Sequence, residues 1–170
     1  MTHPIVNLDA LQARPIAALK ANAPERYHGA TIAPISPLVG AQRLGYNLTV
    51  VPPGKCAFPA HSHYGNEEMF FVLEGNGEVR IGDQHHPVRA GDVIACPPGG
   101  PETAHQIRNT GTGDLRYLAV STAQTPDFVH YPDSGKTGAS HFLGRDENGF
   151  PRAVRLLGRE KDNLDYWDGE

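Results

Sequence analysis

At 170 residues and 18.4 kDa, the chain is long enough for one domain with its own core and too short for two full-sized ones. Fifteen Lys+Arg against nineteen Asp+Glu leave a net charge of −4, which supplies no phosphate-binding field and excludes nucleic acid and anionic membrane as expected partners. Two cysteines, Cys56 and Cys96, exclude a disulfide scaffold and a four-thiolate zinc site, and both are expected reduced.

In chain order, the start Met1-Thr2-His3-Pro4-Ile5 has neither the basic flank nor the apolar stretch of a secretion signal, and no later run is apolar enough to span a membrane, so the expected location is cytoplasmic. Asp9 is placed to cap a helical turn through Ala13, and Pro15 to Lys20 form an alanine-rich second attempt that ends at Asn22. Residues 1–43 therefore read as an arm attached to the main body. From Leu44 the apolar period becomes two: Leu44, Tyr46, Leu48 and Val50 alternate with Gly45, Asn47 and Thr49 until Pro52-Pro53-Gly54 ends the strand. Further apolar runs follow at 69–73, 79–81, 93–96, 115–120 and 128–131, each set off by a turn cluster such as Gly75-Asn76-Gly77 or Gly91-Asp92. This rhythm predicts an all-β antiparallel sandwich or barrel over about 44–131. A tail over 132–170 carries Phe142, Phe150, Val154, Leu156, Leu157, Tyr166 and Trp167, too many apolar groups to leave in water, and is expected to pack on the barrel or on a second subunit.

The chemistry concentrates in histidine and glutamate. His61 and His63 are two apart on an extended segment and share a face, so one ion can take both imidazoles. Glu68 opens the next apolar strand, and His105 follows the loop 97–104. Three imidazoles and one carboxylate suit a divalent first-row metal, Mn, Fe, Co, Ni or Zn, and the lack of thiolate argues against a closed structural zinc. His85-His86 reads as a solvated hairpin, and Ser134-Gly135-Lys136-Thr137 lacks the leading glycine and following helix of a phosphate-binding loop.

At these positions the sequence resembles the cupin family. Gly54, His61, His63, Glu68 and Gly75 match its first motif, and Gly91, Pro97, Gly99, His105 and Asn109 match its second. The stretch His63 to Asn109, with Tyr131 to Lys136 and the ending Asp165 to Glu170, is similar to bacterial single-domain cupins, some of them labelled sugar-phosphate isomerases. The resemblance implies one cupin domain over 1–170, a double-stranded β-helix (jelly-roll barrel) with short N-terminal helical and C-terminal extensions, and one metal on His61, His63, Glu68 and His105. Glu68 is preferred to Glu67 because only it leaves six residues before Gly75. One departure stands out: five residues separate Gly99 from His105 where the family usually has two, so Gly100 to Ala104 must bulge at the barrel mouth.

Strand parity puts Phe70 and Val72 on the ligand side, and leaves Met69, Phe71 and Leu73, with tail residues Leu156, Leu157 and Trp167, to bury against a two-fold mate in a homodimer. Four protein ligands leave about two open positions on an ion that prefers six. Three functions fit: an isomerase-like Lewis-acid reaction on a small hydroxy-carbonyl or sugar-like compound with Glu102 as catalytic base, an Fe(II)-dependent dioxygenase, and a small-ligand binder without turnover. Arg80 and Arg89 supply positive charge near the barrel, whereas parity from His105 turns Arg108 outward.

Overall fold

A computed structural model describes residues 3–19, 22–145 and 151–170 of the chain. Lys20 and Phe150, singled out above, lie outside the described residues. Among the described residues thirteen strands follow one another: β1 (Arg14–Pro15), β2 (Thr31–Pro34), β3 (Leu44–Val51), β4 (Ser62–His63), β5 (Glu68–Glu74), β6 (Asn76–Ile81), β7 (Gln84–Arg89), β8 (Val93–Cys96), β9 (His105–Arg108), β10 (Leu115–Thr122), β11 (Asp127–Tyr131), β12 (Lys136–Arg145) and β13 (Pro151–Gly158). They form a six-stranded sheet in the order β1-β2-β3-β10-β5-β8, a four-stranded sheet β13-β12-β11-β4 and a three-stranded sheet β7-β6-β9. Every pairing among them is antiparallel. This is the antiparallel all-β architecture predicted by the turn rhythm, in the double-stranded β-helix form that the family resemblance implied. Among the described residues no helix is long and apolar enough to cross a membrane.

The main core lies between the six-stranded and three-stranded sheets. Phe70 and Val72 of β5, Val79 of β6, Ile94 of β8, Ile107 of β9, and Leu115 and Tyr117 of β10 meet there. Parity along β5 is as the alternation required, because inward residues at i and i+2 fill the barrel while their neighbours face out. Gly75 closes β5 with a positive φ of 83°, and a Cβ there would collide with the backbone of Asp114 and Leu115. Asn109, fully buried, donates through Nδ2 to the carbonyls of Val51 (2.7 Å) and Gly113 (2.8 Å), and its Oδ1 accepts from Gly111 N. The second-motif glycine, proline and asparagine therefore shape loops, and only His105 of that motif enters the site.

The arm departs from the expected helix. Leu8–Ala10 is a single 3₁₀ turn capped by the side chain of Asn7, not Asp9, and Ile16–Leu19 is a second 3₁₀ turn. Pro15 ends the first segment and adds strand β1 before the alanine-rich run can lengthen. A small second core explains what the arm does. Ala33, Ile35 and Leu48 pack with Val6, Leu8, Leu11, Tyr46, Val50, Leu73 and Leu118 on the outer face of the six-stranded sheet. Tyr46, Leu48 and Val50 of β3 thus face the arm, and Thr49 and Val51 face the barrel interior. Leu73, expected at a two-fold interface, is covered by the chain's own arm.

Replacing Asn109 by Ala strands the Val51 carbonyl in the interior and frees the Gly113 carbonyl on an exposed turn, where water can replace the amide. An unsatisfied buried group costs about 1–3 kcal/mol, so a loss on the order of 2 kcal/mol is expected in urea unfolding. The metal affinity of the fraction that remains folded should be unchanged.

Candidate metal centre

Four side chains meet at one carboxylate oxygen. Glu68 Oε2 is 2.9 Å from His105 Nε2, 3.4 Å from His63 Nε2 and 3.7 Å from His61 Nε2. Three local features bring them together. Reciprocal backbone hydrogen bonds between His61 and His105 hold those two residues opposite each other. Glu68 starts β5 and aims inward with Phe70 and Val72. The β4–β11 pairing, Val129 opposite His63 and His130 opposite Ser62, fixes His63. Glu67 lies on the other face and is exposed, so the choice of Glu68 by its spacing from Gly75 agrees with the geometry.

The donor set fits a divalent ion. Ligand atoms bound about 2.1 Å from a common ion at right angles stand about 3 Å apart, close to the separations measured from Glu68 Oε2. Ligand atoms of His61, Glu68 and His105 all lie within 4.8 Å of one another. His63 stands outside that mutual set and reaches the group through Glu68. All three histidines turn Nε2 toward Glu68. Nδ1 of His61 is 2.9 Å from Pro59 O, Nδ1 of His63 is 2.6 Å from Asp127 Oδ2, and Nδ1 of His105 is buried without a partner.

Asp127 has no place in either motif. It is buried, its Oδ1 accepts from Gly65 N at 3.3 Å, and it is delivered by Asn66, whose side chain ties the turn after β4 to Thr122 and Gln124 just before β11. Tyr131, two strand steps along the same face, stacks on His61 with ring centroids 6.0 Å apart. Lys136 Nζ lies 5.3 Å from the Tyr131 ring centre. Period-two parity from Asp127 through Val129 to Tyr131 is the signal that could have found both residues, but only once β11 is known to lie beside β4.

Electrostatics separates the three imidazoles. Burial, helped by the neighbouring His105, pushes His61 down to about 4, so it is a neutral donor at any ordinary pH. Burial works against charge on His63 too, but the Glu68 and Asp127 carboxylates overcome it and raise its pKa. Burial would raise Glu68, yet hydrogen bonds from His105 and His63 hold it well below the usual carboxylate range. Behind Glu68, its cross-strand neighbour Cys96 is a buried thiol pushed up to about 12 by desolvation and by the Glu68 charge. Burial and the Asp127 charge raise the Tyr131 phenol.

Glu102 stands apart from this cluster. It lies exposed on the 3₁₀ turn Pro101–Thr103, where its Oε1 accepts from Gly100 N at 2.9 Å. It lines a cavity of ≈ 740 Å³ with Arg80, Asp83 and Asp133, and Arg80 is ion-paired with Asp133 at 2.7 Å. Arg89 and Arg108 are exposed. His85 pairs with Glu78 at 2.7 Å on an exposed hairpin, two strands across the sheet from His105 and outside the cluster.

Comparison with known proteins agrees with this architecture. Residues 47–121 match the Cupin domain model. The chain is 32% identical over 111 residues to protein SchB of Streptomyces halstedii, covering 63% of this chain and 78% of that one. It is 37% identical over 70 residues to the oxalate-binding protein of Thermotoga maritima, 41% of this chain and 54% of that one. The chain thus spans about half the length of the first curated relatives it matches. Among solved structures, a sugar phosphate isomerase of the cupin superfamily from Silicibacter pomeroyi superposes with a TM-score of 0.74 at 23% identity, over 97% of this chain and 98% of that one. A candidate sugar phosphate isomerase from Acidithiobacillus ferrooxidans gives 0.65 at 26%, over 79% and 80%. A small β-barrel with a histidine–glutamate cluster at its mouth defines the class. The chain belongs to the cupin superfamily.

Two outcomes are expected from this geometry. Because His63 carries a raised pKa and a metal needs its neutral form, metal affinity rises as pH climbs through that pKa above 6.5 and then levels off. Calorimetry in buffers of different ionisation heat should show a proton released below that point. Asp127→Asn, which keeps an acceptor for Nδ1–H but removes the charge, should weaken metal binding about 10–100-fold, and should move the pH rise downward.

Proposed function

We propose that the protein holds one divalent transition metal on His61, His63, Glu68 and His105, and that it acts on a small neutral hydroxy-carbonyl or sugar-like compound in an isomerase-like reaction. The observation that carries this reading is the convergence of three imidazole Nε2 atoms on a single carboxylate oxygen, 2.9–3.7 Å away, at the mouth of a barrel whose deeper wall is apolar. An ion in that cage supplies a Lewis acid to a bound carbonyl. Phe58 and Phe70 keep water from the floor, where a cavity of only ≈ 20 Å³ remains beneath His61 and His105. Tyr131, held protonated by burial and by Asp127, donates its phenol proton to a ligand oxygen at the rim, and Lys136 behind it adds positive charge.

Charge beside the site favours a neutral compound over a phosphorylated one. In the neighbouring cavity, which none of the four cluster residues lines, Asp83, Glu102 and Asp133 outnumber Arg80, whose guanidinium is already committed to Asp133, so a phosphate dianion approaching from that side is repelled. Glu102, bound to its own loop, takes the base role only if a ligand draws it from Gly100; otherwise solvent at the rim takes up the proton.

The test is solvent deuterium exchange. Metal-loaded protein is incubated in D₂O with neutral three- to six-carbon hydroxy-aldehydes and hydroxy-ketones and with their phosphates, and the carbon-bound protons are followed by NMR. Deuterium entering beside the carbonyl of a neutral compound, lost in Glu68→Ala, is the expected result. Metal-dependent line broadening with no exchange would replace the isomerase with a binder, and oxygen uptake with iron restored would replace it with a dioxygenase. Exchange confined to the phosphates would overturn the neutral-substrate reading. His63→Ala, checked by elemental analysis after dialysis, should lose most of the bound metal, whereas His86→Ala should keep it.

A further inference from the structure

Three cavities differ in what they share with the cluster. The cavity of ≈ 740 Å³ beside Arg80 has none of the four cluster residues in its wall, and the ≈ 20 Å³ beneath His61 and His105 is too small for an organic ligand. A third, of ≈ 230 Å³, takes Glu68 itself into its wall. It opens on the inward face of the six-stranded sheet, at the rim where β5 and β3 begin and β10 ends. The register puts Ser121 of β10 between Glu68 and Gly45, and Ala119 between Phe70 and Asn47, with Pro34 beyond Asn47. Short side chains beside Glu68 leave the space open, and Ile32 and Pro34 of β2 bound its far side. Residues 31–37 fall outside the 47–121 stretch that matches the Cupin domain model, so that far wall is supplied by this chain's own arm.

The chemistry of the wall names the ligand. Among the described residues Glu68 is the one charged group in it, so nothing there attracts a phosphate or a carboxylate. Asn47 Oδ1 accepts from Thr49 Oγ1 at 2.7 Å, which fixes the amide and leaves Nδ2 a donor with no acceptor among the described residues. Ser121 Oγ donates to Thr122 O at 2.9 Å, so its lone pairs are left to accept. One donor and one acceptor on an otherwise apolar wall suit the hydroxyls of a neutral compound. Volume sets the length: at the ~30 Å³ that a water takes up in the liquid, ≈ 230 Å³ holds about eight heavy atoms, the size of a four-carbon hydroxy-ketone. A six-carbon sugar is too large. We propose that this cavity seats the ligand of the metal centre and that Asn47 sets its specificity, the amide donating to the hydroxyl farthest from Glu68 on a neutral four-carbon hydroxy-carbonyl compound. The inference rests on the metal and the substrate class proposed above, and narrows that class by length and by a named contact.

The test reads binding, which keeps it apart from turnover. Zinc-loaded, ¹⁵N-labelled full-length protein is titrated by NMR and calorimetry with hydroxyacetone, erythrulose and fructose, which have three, four and six carbons. Wild type should bind erythrulose about tenfold or more tighter than fructose, and the assigned Asn47 side-chain amide resonances should shift as erythrulose is added. Asn47→Asp keeps the acceptor for Thr49 and removes the donor, so it should lower erythrulose affinity about tenfold or more. Hydroxyacetone has no far hydroxyl, and the same variant should bind it within about twofold of wild type. Elemental analysis should find wild-type zinc content in Asn47→Asp and in Ala119→Leu, which fills the cavity and should abolish erythrulose binding. Equal affinity for erythrulose and fructose, an Asn47 amide that does not respond, an Asn47→Asp protein that binds erythrulose as wild type does, or zinc lost with the amide would each overturn the proposal. The two wild-type measurements decide it even where a variant unfolds. Failure of all three compounds to bind would overturn it together with the substrate class beneath it, whereas selective binding without deuterium exchange would uphold the pocket and remove the isomerase reading alone.

Discussion

A carboxylate taken out of water into a barrel lined by Phe70, Val72 and Tyr117 is costly unless charge or hydrogen bonds compensate it. Glu68 is such a group, and the geometry around it is what that cost demands. His105 and His63 donate to it, His61 stands within 3.7 Å, and their combined effect keeps the carboxylate ionised despite burial. A compensation that requires three imidazoles from three different segments also dictates where those segments run. The His61–His105 bridge, the β4–β11 pairing and the inward parity of β5 are conditions for burying this one charge. A divalent ion meets the same demand more completely, which is why a cluster of this composition reads as a metal cage.

The second layer shows how unequal the ligands are. Asp127 grips His63 by a short charged hydrogen bond, Pro59 holds His61 by a carbonyl, and the buried Nδ1 of His105 has no partner. For the metal proposed above, affinity and pH response would therefore concentrate at His63, while His105, held by the backbone of a four-residue strand, would contribute through position. Ligands oriented by backbone and ligands oriented by charge respond differently to substitution of their neighbours.

Much of this was legible in the sequence because period-two parity and glycine-marked turns are local signals. The run from Met69 to Leu73 told its inward side from its outward side, and the spacing from Gly75 separated Glu68 from Glu67. Partners distant in sequence left no such mark. Asp127 lies 64 residues beyond His63, and nothing near it in the chain distinguishes a histidine-orienting carboxylate from a turn aspartate. The arm misled for a related reason: a few alanines around Pro15 look helical by propensity, but burying the outer face of β3 and β10 outweighs propensity and flattens the arm into strands and 3₁₀ turns. Glu102 was singled out because its loop is long, and in the fold its carboxylate accepts from the backbone amide of Gly100.

Cys96 has a consequence of its own. Its sulfur sits across the strand from Glu68, within reach of the site's field, and that field together with the apolar surroundings keeps it a thiol. Soft ions such as Cu(I) are captured by thiolates, and oxidants also attack the thiolate form. A sulfur held as a thiol at ordinary pH offers little handle to either. On the proposed reading, the carboxylate that would help hold a borderline metal also keeps a soft donor beside it out of play.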